Sequence, residues 1–291
     1  MAEPTSTMSA PPASFDYSNL KLRALSAAIL IPVVLLAVWI GEWLFLALML
    51  AAVGLLAREW ALMSAPHAPI RAAAPIFGAV GVALVAVKLD FLIAPGLGHM
   101  ELAWLLLPLG ALAAALIARL RGVAERPMDE AFGVLYIGAP AVAIEWLHSG
   151  HEGRGWVAAL LSVAWAADSA AFAAGTILKG PKLWPRVSPK KTWSGFIVGL
   201  IAGVAAAVVY SLWRPLPGGP PVAWAVPIGF VAALAVMAGD LWESMLKRRF
   251  GVKDSGQLIP GHGGLLDRVD GVMFAAMVMA AARLLVDVGA N

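Results

Sequence analysis

Long apolar blocks constrain this sequence more than any other feature. Of its 291 residues, 61% are hydrophobic and only 13% are charged. A helix needs roughly 18 residues with almost no charge to cross a bilayer core of roughly 30 Å, and many of the blocks are that long. A soluble helix would show polar residues on one face at helical period, and most of these blocks do not. The sequence therefore predicts an all-α, polytopic membrane bundle of about nine transmembrane helices.

The predicted spans fall into two regions after a short N-terminal segment. Residues 1–20 lack the basic-then-apolar order of a signal peptide and are expected to form a flexible cytosolic arm. Residues 21–130 should hold the N-terminal transmembrane helices, and residues 131–291 the C-terminal catalytic region. Proline and glycine mark the connectors between spans. The nine spans are 22–40, 43–63, 72–87, 101–118, 131–147, 155–178, 192–213, 222–246 and 271–288.

The distribution of basic residues predicts the orientation. If the N-terminus is cytosolic and nine spans alternate, the far side receives only four of the 21 lysines and arginines, Lys88, Arg154, Arg214 and Arg283. The positive-inside rule requires a bias of this kind. The cytosolic loops 179–191 and 247–270 are strongly basic and adjoin spans that carry acids, so chemistry is expected there.

Composition excludes every kind of site that needs cysteine. The chain has no cysteine, which rules out a disulfide framework, a thiolate nucleophile and a cysteine zinc site. The net charge of +3 does not require a nucleic-acid partner.

Asp168, followed by Ser169, lies near the middle of its predicted span. A carboxylate at such depth costs at least about 2.5–3.5 kcal/mol on insertion scales, so it tends to face a cavity, a partner or an ion. Asp168 is therefore either held by hydrogen bonds from neighbouring helices or forms the wall of a polar pocket, with Ser169 as an added hydroxyl.

A stripe of polar residues follows one face of the predicted span 222–246. Asp240, Glu243, Ser244 and Lys247 are spaced as one helical face requires. A Glu243–Lys247 pair alone is ordinary on a helix surface, but Asp240 lies deeper, where a decorative charge is expensive.

Asp267 and Asp270 open the last span as a second acidic cluster. Acids at a helix N-terminus are often caps, and capping and function remain open for Asp270. Two acidic clusters at neighbouring helix ends could instead share a divalent cation. Mg²⁺ accepts a few carboxylates and leaves its other positions to water or phosphate oxygens.

The segment between these clusters combines cations with glycines. Glycines let backbone N–H groups approach a phosphate, and basic side chains supply charge. Membrane-surface anchoring is the alternative for each basic residue. His262 alone is a weak signal, although glycines flank it. The candidate phosphate contacts here are Arg248, Lys253, His262, Gly263 and Gly264.

The connector 187–195 offers hydroxyls and lysines at the interface, with Ser188 and Lys191 as candidate pocket residues. Trp193 is typical of the aromatic belt of a membrane protein. These residues together predict phosphate chemistry with a divalent metal at the cytosolic face. They name neither the base nor the lipid.

The stretch 244–270, SMLKRRFGVKDSGQLIPGHGGLLDRVD, resembles the signature of the phosphatidate cytidylyltransferases, or CDP-diacylglycerol synthases. Trp165 with Asp168-Ser169, and SPKKTW at 188–193, are also similar to that family. The resemblance covers about 165–275, and the first 130 residues agree only in being hydrophobic helices. Ser194 stands where many members carry Glu or Gln, so it is given no role.

The resemblance implies a reaction and its cofactors. CTP and phosphatidate would give CDP-diacylglycerol and pyrophosphate, in phospholipid biosynthesis at a bacterial inner membrane. Asp240 and Asp267 would be the metal ligands, with Mg²⁺ required and K⁺ as a second cation. A homodimer is also implied.

The implied mechanism is an in-line attack of the phosphatidate phosphate on the α-phosphorus of CTP. Such reactions depend on positioning and charge neutralisation. Lys247, Arg248 and Lys253 would hold phosphate oxygens, and His262 would contact phosphate. The expected pocket lining is Asp168, Ser169, Ser188, Lys191, Gly263, Gly264 and Asp270.

Two rival functions share parts of this chemistry. A CTP-dependent polyprenol kinase would transfer the γ-phosphate instead of CMP, and the signature argues against it. An ion or lipid transporter would use Asp168 and Asp240 as coupling sites, but transporters commonly show paired repeats, and no such pairing is visible in the sequence.

Overall fold

A computed structural model of the chain describes residues 17–93, 101–150, 152–258 and 263–289. Within these residues the fold is built from nine α-helices and one small hairpin. From α2 to α9, eight helices are long and apolar enough to cross a membrane, and the apolar part of α1 covers Ala28–Ile40. The prediction of an all-α membrane bundle is confirmed. The helices are α1 (Tyr17–Ile40), α2 (Glu42–Ser64), α3 (Pro69–Ile93), α4 (Glu101–Leu120), α5 (Pro127–His148), α6 (Gly153–Leu178), α7 (Trp193–Trp213), α8 (Ala225–Arg249) and α9 (Leu266–Gly289).

Two helix boundaries differ from the predicted spans. Helix α1 begins at Tyr17, so the last four residues of the predicted arm are helical, while residues 1–16 lie outside the described part of the chain. Helix α3 extends beyond the predicted 72–87 because Lys88 does not end it. The Lys88 ammonium is buried and lies 3.0 Å from a carboxylate oxygen of Glu42. A charge that is paired inside the bundle does not have to mark a helix end.

The connector between α6 and α7 is a short antiparallel hairpin, where only a loop had been predicted. Strands β1 (Lys182–Trp184) and β2 (Ser188–Thr192) pair Lys182 with Thr192 and Trp184 with Ser188. Side chains alternate across a strand. The alternation leaves Lys190 exposed and turns the neighbouring Lys191 towards α8.

Contacts between the connectors define two ends of the bundle. At the end predicted to lie outside, Lys88 pairs with Glu42, and the guanidinium of Arg283 donates to the carbonyl oxygen of Leu147 over 2.8 Å. These residues belong to the ends of α2, α3, α5 and α9, which alternation places on one side.

The opposite end gathers the connectors that were predicted to be cytosolic. Ser64 donates to a carboxylate oxygen of Glu130 over 2.7 Å, which joins α2 to α5. Arg249 pairs with Asp129, which joins α8 to α5. The contacts of both ends agree with alternation of the spans from α2 to α9. This second end is called the near end below.

Close helix crossings bring the acidic segments together near that end. A β-carbon at Gly203 of α7 would lie 2.6 Å from that of Ala233 of α8. A β-carbon at Gly239 of α8 would lie 2.4 Å from the carbonyl oxygen of Asp270 on α9. Small residues allow membrane helices to approach this closely. The crossing at Gly239 therefore places Asp240 beside the start of α9.

Candidate active site

Five carboxylates from three helices gather at the near end of the bundle. Asp168 of α6 lies within electrostatic range of Asp240 on α8, and Asp270 lies within range of Asp168, Asp240 and Glu243. Glu243 in turn lies beside Asp267 at the start of α9. We call this group the carboxylate cluster. It unites the two acidic segments that the sequence singled out and adds Asp168 to them.

The part of the cluster formed by Asp168 and Asp240 is accessible. Asp240 pairs with Lys191 of the hairpin, and 37% of its side chain is exposed. Asp168 is exposed and makes no hydrogen bond or ion pair with any residue in the described ranges, and Ser169 beside it is exposed too. This geometry favours a pocket wall over a carboxylate that is held by neighbouring helices.

Lys247 lies between two buried carboxylates. Its ammonium donates to Glu243 over 2.8 Å and to Asp267 on α9. Only 12% of the Lys247 side chain is exposed, and the two carboxylates are more enclosed still. In this arrangement Lys247 neutralises the protein's own acids, and it could contact a phosphate only by leaving one of them.

Asp267 is surrounded by donors besides Lys247. One carboxylate oxygen accepts the N–H of Gly264 at 3.0 Å, and the hydroxyl and N–H of Ser255 at 3.0 and 3.2 Å. These bonds close the segment after α8 onto the start of α9. Residue 264 must be glycine for this closure, because a β-carbon there would lie only 2.0 Å from the Ser255 hydroxyl oxygen.

The remaining predicted residues belong to the hairpin, the end of α8 and the segment that follows α8. Arg248 and Lys253 are exposed and make no hydrogen bond or ion pair with described residues, so both can reach a solute. Gly263 has a left-handed backbone with φ of 89°, which favours glycine. Ser188 pairs with Trp184 at the far end of β2 from Lys191. His262 lies outside the described residues.

Sequence reasoning missed Glu59 of α2. Its side chain is buried, with 1% of the residue exposed, and it accepts the backbone N–H groups of Leu265 and Leu266, both at 2.8 Å. The signal was available, since an acid inside the predicted span 43–63 carries the same insertion cost that drew attention to Asp168.

The donor set suits a hard cation. Carboxylate oxygens are the ligands that Mg²⁺ prefers, and the five carboxylates outnumber the cations near them, Lys191, Lys247 and Arg268. Among the described residues, no group of three or more His, Asp or Glu side chains is placed to hold a metal alone. Mg²⁺ would need only one or two of these carboxylates, because it commonly completes its shell with substrate phosphates and water.

Comparison with known proteins gives a family match over most of the chain. The model of the cytidylyltransferase family matches residues 21–286. The match includes α2 to α8 and most of α9, so it is not limited to the signature segment.

Individual relatives are similar over shorter stretches. A phosphatidate cytidylyltransferase of Brucella suis biovar 1 (strain 1330) is 45% identical over 152 residues, 51% of this chain and 54% of that protein. The protein of the same name from Mycobacterium bovis (strain ATCC BAA-935 / AF2122/97) is 38% identical over 126 residues, 43% of this chain and 40% of the relative. That from Rickettsia felis (strain ATCC VR-1525 / URRWXCal2) is 35% identical over 154 residues, 50% and 66% respectively. The chain thus spans about half the length of the Brucella protein.

Replacing Lys247 with methionine tests the buried ion pair. Lys247→Met keeps the apolar stem but leaves Glu243 and Asp267 without their shared cation, and breaking a buried pair costs about 3–5 kcal/mol. We expect a clearly lower thermal unfolding midpoint in detergent. Lys247→Arg should keep most of the stability.

The matched control is Lys190→Met, which removes the same charge from an exposed position on β2. Its unfolding midpoint should stay near that of the wild type. Equal midpoints for Lys247→Met and Lys190→Met would show that the Lys247 pair does not stabilise the bundle.

Proposed function

This chain belongs to the cytidylyltransferase family, and we propose that it joins CTP to phosphatidate, giving CDP-diacylglycerol and pyrophosphate. The observation that carries the proposal is the position of the family's signature segment. It is folded against the carboxylate cluster at one end of a bundle of membrane-spanning helices. A water-soluble nucleotide and a bilayer lipid can both reach such a place.

The reaction requires no strong base from the protein. A phosphate oxygen of phosphatidate forms a bond to the α-phosphorus of CTP, and the bond from that phosphorus to the bridging oxygen of the β-phosphate breaks. Pyrophosphate leaves with the electron pair. Phosphatidate is already anionic, so catalysis consists mainly of holding the two phosphates in line and neutralising charge.

The exposed cations supply that neutralisation. Arg248 and Lys253 are free to contact phosphate oxygens. Lys191 reaches Asp240 from the hairpin and can transfer its contact to an arriving phosphate. Asp168 and Ser169 line the same accessible region, where they would orient the substrate.

We assign Mg²⁺ to Asp240 and Asp267, with K⁺ as a second cation. Bound there, the metal would neutralise the triphosphate of CTP. Each ligand would have to release its lysine, Lys191 from Asp240 and Lys247 from Asp267. The excess of carboxylates in the cluster supports a cation at this place, and the released lysines would remain near the phosphates.

The near end is proposed to face the cytosol of a bacterial inner membrane. The chain is an integral membrane protein, its basic residues are concentrated at the near end, and the relatives described above are bacterial proteins. A homodimer is proposed from the family resemblance. The polyprenol kinase and transporter alternatives are not favoured by the family match.

Isotope partition tests the reaction. With α-³²P CTP and phosphatidate, the purified chain should move label into the lipid, while label from γ-³²P CTP should leave as pyrophosphate. A kinase gives the opposite partition, and a transporter transfers neither label. Lipid carrying γ label would refute the proposed function.

Amide replacement tests the metal ligands. Asp240→Asn and Asp267→Asn each remove one carboxylate charge with little change in shape, so each should lower turnover by at least about a hundredfold, or about 2.7 kcal/mol of transition-state stabilisation. Turnover should be measured across a Mg²⁺ titration. Glu125→Gln, an exposed change at the near end, should leave turnover unchanged. A variant that reaches wild-type turnover at saturating Mg²⁺ would remove its residue from the metal site.

Single cysteines test the orientation without background, because the native chain has none. Lys182→Cys and Gln257→Cys, both exposed at the near end, should react with an impermeant thiol reagent only from the cytosolic side. Glu152→Cys and Pro215→Cys, exposed at the opposite end, should react only from outside. The reverse pattern would place the candidate site on the wrong side of the membrane for cytosolic CTP.

A further inference from the structure

Glu59 joins the N-terminal half of the bundle to the signature segment. One of its carboxylate oxygens accepts the N–H of Leu265 at 2.8 Å. The other accepts the N–H of Leu266 at 2.8 Å and faces the hydroxyl of Ser255 at 3.4 Å. Among the described residues Glu59 makes no ion pair, and these donors are its hydrogen-bond partners there.

The donors that Glu59 uses belong to the start of α9. The first N–H groups of a helix have no acceptor within the helix, and they carry the positive end of its dipole. A carboxylate from α2 therefore acts as a cap for α9. Hydrogen bonds to an ionised acceptor are roughly twice as strong as neutral ones, which suits a contact that has to hold a loop.

Two glycines of the signature segment fit around this carboxylate. A β-carbon at Gly256 would lie 2.9 Å from one carboxylate oxygen of Glu59, and a β-carbon at Gly264 would lie 2.9 Å from the other. The missing side chains at these two glycines thus leave space for the Glu59 carboxylate. The amides of Leu265 and Leu266 are occupied by that acid, so they cannot also bind a phosphate while Glu59 is in place.

The same contacts continue into the carboxylate cluster. The Ser255 hydroxyl that faces Glu59 lies 3.0 Å from a carboxylate oxygen of Asp267, and Asp267 pairs with Lys247. A displacement of the loop at Glu59 would therefore move Asp267, the proposed metal ligand, together with its partner lysine.

We propose that Glu59 is a positioning residue, which fixes residues 255–256 and 264–266 at the start of α9 so that Asp267 is correctly placed. The part of this inference that concerns turnover rests on the proposed function. The part that concerns the loop does not, and the experiment keeps the two separate.

The first experiment combines turnover with loop mobility in the full-length chain, in detergent or nanodiscs. A spin label on Gln257→Cys, an exposed position in the segment, reports mobility by electron paramagnetic resonance without substrate. Glu59→Gln keeps the size of the side chain but turns an amide donor towards one of the two backbone N–H groups. We expect a more mobile label and a fall in kcat on the order of tenfold to a hundredfold, with the KM for CTP changed by less than about threefold.

The matched control is Arg58→Gln, an exposed neighbour on the same helix, which should change neither readout. A Glu59→Gln label as immobile as that of the wild type would overturn the proposal, whatever the turnover. A mobile label with wild-type kcat would overturn the positioning role. An inactive wild type with CTP and phosphatidate would sink the proposed function, while the label would still decide whether Glu59 holds the loop.

Gly256→Ala leaves Glu59 in place, so it tests the contact even if Glu59→Gln fails to fold, and a double-mutant cycle extends the test. Gly256→Ala should increase label mobility, because the new methyl meets the Glu59 carboxylate. In a Glu59→Ala background the same change should have little further effect, since the obstructing group is gone. Gly78→Ala, where a β-carbon meets nothing within 4 Å, is the control glycine. Equal effects of Gly256→Ala in both backgrounds would show that Glu59 and the loop are not coupled.

Discussion

The ion pairs of Lys247 are the interaction on which the rest of the site depends. One ammonium serves Glu243 on α8 and Asp267 on α9, and both acids are nearly enclosed. Two uncompensated carboxylates at the end of a membrane bundle would be costly, so the lysine ties the two helices together where the chain between them must turn back. Ser255 then bonds to Asp267, and the signature segment is folded around that contact.

The two ends of the bundle differ in whether their basic side chains are paired within the protein. At the far end, two cations are paired inside the protein: Lys88 is fully buried against Glu42, and Arg283 donates to the last carbonyl groups of α5. At the near end, Arg248 and Lys253 are exposed and make no hydrogen bond or ion pair with described residues. The two far-end cations therefore stabilise the bundle, whereas these two near-end cations are available for a ligand.

The sequence allowed the membrane bundle, its alternation and the acidic segments to be predicted, because apolar length and the cost of a buried charge are local properties. It did not allow the end of α3 to be predicted, because Lys88 is neutralised by Glu42 from another helix. The role of Glu59 was missed for the same reason. Glu59 meets Leu266, 207 residues away along the chain, and no window of one sequence contains that contact.

In the signature segment, the backbone N–H groups near the glycines have partners other than the predicted phosphate. Glycine next to basic residues predicted a phosphate cradle of backbone N–H groups. In the structure the N–H of Gly264 is donated to Asp267, and the N–H groups of Leu265 and Leu266 are donated to Glu59. These three amides are held by the protein's own carboxylates before a substrate arrives, which is a form of the preorganisation that electrostatic catalysis requires. In the proposed reaction, phosphate contacts would then come from exposed side chains such as Arg248 and Lys253, which can follow a moving phosphate more easily than a fixed row of amides.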